Sequence, residues 1–170
     1  ITGDTKVYVA DGRGHIEIRQ LADEGKDVPV FCLDNKGKTS IRTMRNPRIT
    51  GYNEKIYKLT LDDGNIIRAT SNHKFRLKSG EYKELKDLVY GDSLYINTRY
   101  EANFNEIFKG SNSRSSNYMW IANNKSEHRI IAEFNYGEIP KGHVIHHKDF
   151  NALNNAPDNL MIMSKEDHDR

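Results

Sequence analysis

Short runs of β-branched, aromatic and aliphatic residues recur through residues 1–96, each ended within a few positions by a turn signal. The runs are Lys6–Ala10, Val28–Leu33, Ile56–Leu61, Asn65–Thr70, Lys74–Leu77 and Ser93–Ile96. Between them lie Asp11-Gly12, Asn35-Lys36-Gly37, Asn46-Pro47, Asp62-Asp63-Gly64-Asn65, Ser79-Gly80 and Gly91-Asp92. Glycine, asparagine and aspartate tolerate the backbone angles that reverse a chain, so such clusters mark strand ends. The pattern predicts many short strands in a mainly β unit. Tyr57–Leu61 and Ile66–Thr70 form a predicted hairpin through Asp63-Gly64. Only Ile18–Glu24 and Tyr82–Leu88 read as short helical turns.

The pattern changes at residue 97. Residues 97–125 are dominated by Asn, Ser, Lys and Gly, as in the run Gly110–Asn117, and read as a linker or mobile loop. Within it, Tyr118-Met119-Trp120-Ile121 reads as a small apolar cluster docking the linker. Residues 126–170 change again. Ser126-Glu127-His128 opens an amphipathic helix with Ile130, Ile131 and Phe134 near one face. His143–His147 reads as a strand, Lys148–Asn159 as a polar loop and Leu160–Met163 as a second strand. Ser164-Lys165-Glu166-Asp167 is a capping signature that starts a helix, cut off at Arg170. So short a helix is unstable alone, and the chain is expected to be a fragment of something longer.

Composition narrows the class only a little. The chain has 170 residues, 36% hydrophobic and 29% charged. No apolar run approaches the roughly 18 residues of a membrane span, and ITGDTKV is not a signal peptide. The single cysteine, Cys32, excludes an internal disulfide, favours a reducing compartment and reads as a buried core thiol. A net charge of +2 neither demands nor forbids a nucleic-acid partner. From residue 97 onward nine Lys and Arg face ten Asp and Glu, so a DNA-facing surface would need its charges sorted in space.

The histidines are more informative. Five of the 7 (His128, His143, His146, His147 and His168) lie between residues 128 and 170. Successive strand residues point to opposite faces, so a strand carrying His146-His147 delivers one imidazole to each side. A helix start bearing His168 returns a third. Two imidazoles can hold a divalent metal with positions open for phosphate and water, and the remaining histidine can take a proton from that water. Asn159, twelve residues after His147, can tie the intervening loop through its amide. No role is assigned to His143.

This order of residues resembles the HNH nuclease family with its ββα-metal fold, as it occurs in phage homing endonucleases. There a helix opening His-Arg (His128-Arg129) leads through a Pro-Gly turn (Ile139-Pro140-Lys141-Gly142) to the His-His strand. The resemblance implies that His146 and His168 are metal ligands and His147 the general base. It implies that Asn159 orients the base-bearing loop, and that Asp149 and Asn155 hydrogen-bond within that loop.

Two strings stand out in the N-terminal half. Gly3-Asp4-Thr5 opens the chain, and Thr70-Ser71-Asn72-His73 follows the predicted hairpin. Together they resemble the N-terminal portion of an intein, the mainly β, horseshoe-shaped Hint fold, whose first motif reads Cys-x-x-Gly-Asp-Thr and second Thr-x-x-His. An N-terminal acyl shift expels an amide nitrogen, a poor leaving group that must be protonated. The resemblance implies that His73 supplies that proton and Thr70 holds the scissile amide. It further implies that Asp4 and Thr5 shape the entry turn and that Asn72 supports the loop. The nucleophile that precedes this motif and the C-terminal splicing motifs are not in the sequence, so this stretch is not expected to splice by itself.

The expected organisation is a Hint-like splicing region over 1–96, a linker over 97–125 and an α+β HNH domain over 126–170, truncated at its last helix. The implied function is an intein carrying a metal-dependent HNH homing endonuclease that hydrolyses DNA phosphodiesters. The alternative is a Hint autoprocessing module fused to an HNH toxin, cleaving without ligation. The implied cofactor is a divalent metal, Mg²⁺ first, with Mn²⁺ or Zn²⁺ as alternatives. The implied partners are double-stranded DNA, a flanking host protein and the missing C-terminal intein segment, in the cytoplasm of a bacterial or phage-infected cell and without a membrane.

Overall fold

A computed structural model describes residues 1–34, 36–103, 117–121 and 125–170. Strands predominate over short helices. The first group is β1 (Lys6–Val9), β2 (Gly14–Glu17), α1 (Ile18–Glu24), β3 (Val28–Leu33) and β4 (Thr39–Met44). Two hairpins follow, β5 (Ile56–Thr60) with β6 (Ile66–Thr70), and β7 (Lys74–Arg76) with β8 (Tyr82–Glu84). The remaining elements are β9 (Arg99–Asn103), β10 (Asn117–Ile121), β11 (Lys125–Ser126), α2 (Glu127–Tyr136), β12 (His143–His147), β13 (Leu160–Ser164) and α3 (Lys165–His168).

Local chemistry explains several boundaries. The β5–β6 hairpin closes where Gly64 takes a φ of +82° and Asn65 donates from backbone and side chain to the Asp63 carboxylate. The helix α1 stops at Gly25, whose left-handed backbone lets its N–H bond the Leu21 carbonyl. Ser164 caps α3 by accepting from the Asp167 N–H at 3.1 Å, the predicted capping contact.

Three expectations change. Tyr82–Leu88 is not helical but a strand followed by one 3₁₀ turn, because β8 pairs with β7 across three residues. Ser93–Ile96 makes only an isolated bridge, Leu94 to Leu77. Cys32 is half-buried rather than fully buried, and partial burial pushes its thiol pKa up. Strands β2 and β4 have no counterpart in the sequence pattern; their polar composition hides the alternation. Within the polar stretch 97–125 the described residues include β9, β10 and the start of β11, which pair in the order β11–β10–β9. Met119, Trp120 and Ile121 are buried there. The predicted loop at 110–116 lies outside the described residues.

The chain divides into two compact units that interleave segments of sequence. The first holds residues 1–8, 15–28 and 44–96; the second holds 9–14, 29–43 and 97–170. In the first, Leu21, Val28, Pro47, Ala69 and Leu77 are buried. In the second, Ile130, Ile131 and Ala132 of α2 pack with Ile121, Ile139 and Leu160, and also with Ala10 and Ile41 from the N-terminal segments. Among the described residues no helix is long and apolar enough to cross a membrane.

Candidate functional site

In the second unit, β12 and β13 pair antiparallel with His146 opposite Met161 and His147 opposite Leu160. The pleat sends the adjacent histidines to opposite faces, as predicted. His146 meets His168 of α3, with ring centroids 5.6 Å apart and planes at 76°. Phe150 packs edge-on against His146 at 5.2 Å. His147 points into the protein, 7% exposed, against His128 of α2 at 5.3 Å and Tyr118 of β10 at 6.3 Å.

The loop between the strands is tied by amides. Asn159 Nδ2 donates to Asp149 Oδ1 and to the Asn154 carbonyl, both at 2.8 Å, while its Oδ1 accepts from the Asp149 N–H at 3.1 Å. Asp149 also accepts from Asn154 Nδ2 at 2.7 Å and the Asn151 N–H at 2.9 Å. The Asn154 amide, then the Asn151 N–H and the Asn159 amide, hold the Asp149 carboxyl pKa down at about 2. Asn159 and Asp149 therefore clamp the two ends of the loop that follows His147. Asn155 differs from expectation. It leaves the loop, its Oδ1 meeting His147 Nε2 at 3.0 Å and its Nδ2 meeting Glu127 Oε2 at 2.9 Å.

Sequence reasoning assigns no chemical role to several of these groups. Glu127 is fully buried and held by a bidentate Arg99 guanidinium at 3.0 Å. As the first helical residue of α2 it looks like an ordinary capping acid, and nothing local signals its burial. His128 has a buried Nδ1 with no hydrogen-bond partner. Burial, then the neighbouring His147 and Arg129, lower its pKa to about 3, so the ring is neutral. Phe150 is exposed and adopts a φ of +59°, rare for a bulky residue. His143 lies at the far end of β12 and is exposed.

Among the described residues no group of three or more His, Cys, Asp or Glu is placed to hold a metal. The His146–His168 pair nevertheless suits a shared ion. Two imidazoles on one divalent metal at ~2.1 Å place their centroids roughly 5 Å apart, close to what is seen here. Two nitrogen ligands leave several positions open for water and phosphate oxygens.

In the first unit the second candidate cluster gathers near the start of the chain. Thr2 N–H bonds the Arg68 carbonyl of β6 at 3.2 Å, and Thr5 N–H closes a turn on the Thr2 carbonyl at 3.0 Å. The Thr2 side chain, then the Asp4 backbone and more distantly Arg68, hold the Asp4 carboxyl below its usual range. Thr70 ends β6, and the His73 N–H bonds its carbonyl at 3.1 Å through the intervening turn. His73 stacks edge-on against Phe75 at 5.0 Å. Partial burial, and then the positive charge of the amino terminus, lower its pKa. The first residue thus lies within electrostatic reach of His73. Asn72 is exposed on the turn.

Both halves of the chain have counterparts among known proteins. Residues 125–170 match the family model described as HNH endonuclease. A crystal structure of a mutant of an Ssp DnaB mini-intein variant superposes with a TM-score of 0.51 at 19% identity, covering 75% of this chain and 93% of that one. The chain joins an intein-like fold to an HNH endonuclease domain.

Along its sequence it is 34% identical over 98% of its length to a DNA gyrase subunit from Synechocystis sp.. It is 31% identical over 58% of its length to replicative DNA helicase DnaB of Rhodothermus marinus. It spans 16% and 10% of those relatives. The HNH match covers the whole run from β11 through α3, including every histidine and asparagine of the first cluster.

Proposed function

We propose that the HNH domain hydrolyses phosphodiesters of double-stranded DNA, with His147 as general base. The observation that carries this reading is the split of the adjacent histidines, His146 toward His168 and His147 toward Asn155. His147 takes a proton from water as that water attacks phosphorus in line, and the phosphorus–oxygen bond to the leaving sugar breaks. His146 and His168 would hold the divalent metal, Mg²⁺ in the cell with Mn²⁺ or Zn²⁺ as substitutes. When bound it supplies Lewis-acid stabilisation of charge on the leaving oxygen. Asn159 and Asp149 keep the loop after His147 in place. In plasmid cleavage, His147→Ala should lose at least about 10²-fold in rate while still binding metal, and chelation should abolish cutting. Cleavage at the parent's rate by that variant would remove the base assignment.

In a longer chain, the intein-like part would support an acyl shift at the residue before Ile1. His73 would protonate the departing amide nitrogen, Thr70 would hold that amide, and Asp4, Thr5 and Asn72 would shape the turns around it. The His73 N–H bonded to the Thr70 carbonyl at 3.1 Å, and the Thr2 N–H bonded to Arg68 of the same hairpin at 3.2 Å, support this reading. The relatives are a gyrase subunit and a replicative helicase, so the proposed host is a cytoplasmic protein of DNA metabolism, with a C-terminal intein segment completing the splicing unit. Intact-mass spectrometry of the parent reading frame should show joined flanks plus an excised insert. His73→Ala should suppress both products, whereas cleaved but unjoined flanks would indicate autoprocessing instead.

A further inference from the structure

We propose that Glu127, with Arg99 behind it and Asn155 in front, sets the tautomer of His147: proton on Nε2, basic lone pair on Nδ1. The chemical role of that lone pair rests on the reading of His147 as general base; the tautomer itself does not.

The hydrogen-bonding role of Glu127 is unambiguous. A carboxylate paired with a guanidinium only accepts hydrogen bonds, and Glu127 accepts from Arg99 Nε at 3.0 Å and Nη2 at 3.0 Å. The Asn155 atom facing it at 2.9 Å must therefore be the NH₂ group. Because the amide is planar, its oxygen then faces the other way, toward His147 Nε2 at 3.0 Å. An amide oxygen only accepts, so Nε2 carries the hydrogen. A neutral imidazole has one N–H, which leaves Nδ1 as the proton acceptor. Without a carboxylate at position 127, the amide could turn over, donate to Nε2 and favour the opposite tautomer.

Burial raises the stakes. Glu127 is 0% exposed, and His147 and Asn155 are each 7% exposed. Water cannot substitute for a lost partner there, and each bond is stronger than at the surface. A buried ion pair often contributes no more stability than apolar residues of the same volume. The Arg99–Glu127 pair reaches across β9 and α2 to meet a loop amide, a placement that orients more than it stabilises. Glu127, Arg99 and Asn155 are positioning residues. A base held in the wrong tautomer can lose up to about 10⁴ in rate.

The test reads the ring nitrogens directly, in the full chain labelled with ¹⁵N-histidine. Long-range ¹H–¹⁵N correlation, assigned by loss of signals in His147→Gln, should show Nε2 as the protonated nitrogen and Nδ1 as the bare one. In Glu127→Gln, whose amide accepts or donates equally well, the His147 signals should move toward a mixture of tautomers. DNA cleavage should then fall at least about tenfold with Mn²⁺ affinity unchanged. A proton on Nδ1 in the parent chain overturns the proposal without any variant, as does an unaltered tautomer in a folded Glu127→Gln. A parent protonated on Nε2 that cuts no DNA, with the tautomer shifting in Glu127→Gln, supports the positioning role and retires the nuclease reading alone.

Discussion

At the scale of single residues, His128 makes a sharp prediction because it gains nothing from being charged. Its pKa falls from 6.5 to about 3 on folding, chiefly through burial. Between those values the unfolded chain binds a proton that the folded chain refuses, so stability drops as pH falls from 6.5 toward 3 and is fully present above 6.5. Phenylalanine fills similar volume and removes the unpartnered Nδ1. His128→Phe should therefore match or exceed the parent's thermal midpoint at neutral pH. It should also lose less of that midpoint than the parent on acidification from about pH 6.5 to about pH 4. Parallel acid dependence of the two chains, followed by circular dichroism, would show that His128 does not carry the effect.

At the scale of elements, the loop between β12 and β13 is held from outside as well as inside. Gly12, in the turn before β2, has a φ of +96°, and a Cβ there would stand 2.8 Å from the Ala156 Cβ. Both residues belong to the second unit, so the N-terminal turn and the nuclease loop are in direct contact. Gly12→Ala combines that overlap with an unfavourable backbone angle and should destabilise the second unit by about 1–3 kcal/mol. Denaturant unfolding followed by Trp120, which is buried in that unit, measures it. An unchanged midpoint would mean that the loop yields at no cost.

At the scale of the whole molecule, the HNH domain does not own its core. Ala10, Phe31 and Ile41 pack against the apolar side of α2 and β13, and Arg99 holds the buried Glu127. A fragment of residues 125–170 alone would expose that apolar surface and strip Glu127 of the Arg99 guanidinium, a penalty of several kcal/mol. It should show no cooperative thermal transition by circular dichroism, whereas the full chain should. A cooperative transition in the fragment would show that the domain is self-sufficient.

The sequence by itself determined what depends on neighbours along the chain. Alternation and turn residues located β5, β6, β12 and β13. A serine and an aspartate three apart located the cap of α3. The spacing of His146, His147, Asn159 and His168 located a cluster in which His146 meets His168 and Asn159 ties the loop after His147. Each of these rests on the period of a strand, the geometry of a turn or the first turn of a helix, all local properties. Only the tertiary structure decided which side chains meet across distance. It moved Asn155 from a loop tie to a bridge between His147 and Glu127, and it buried a capping glutamate against Arg99. It also enlisted Ala10 and Ile41 in a core that residue spacing assigns to another region. No local pattern distinguishes a solvated Glu from a buried one, because burial is fixed by the packing of segments that the chain brings together only on folding.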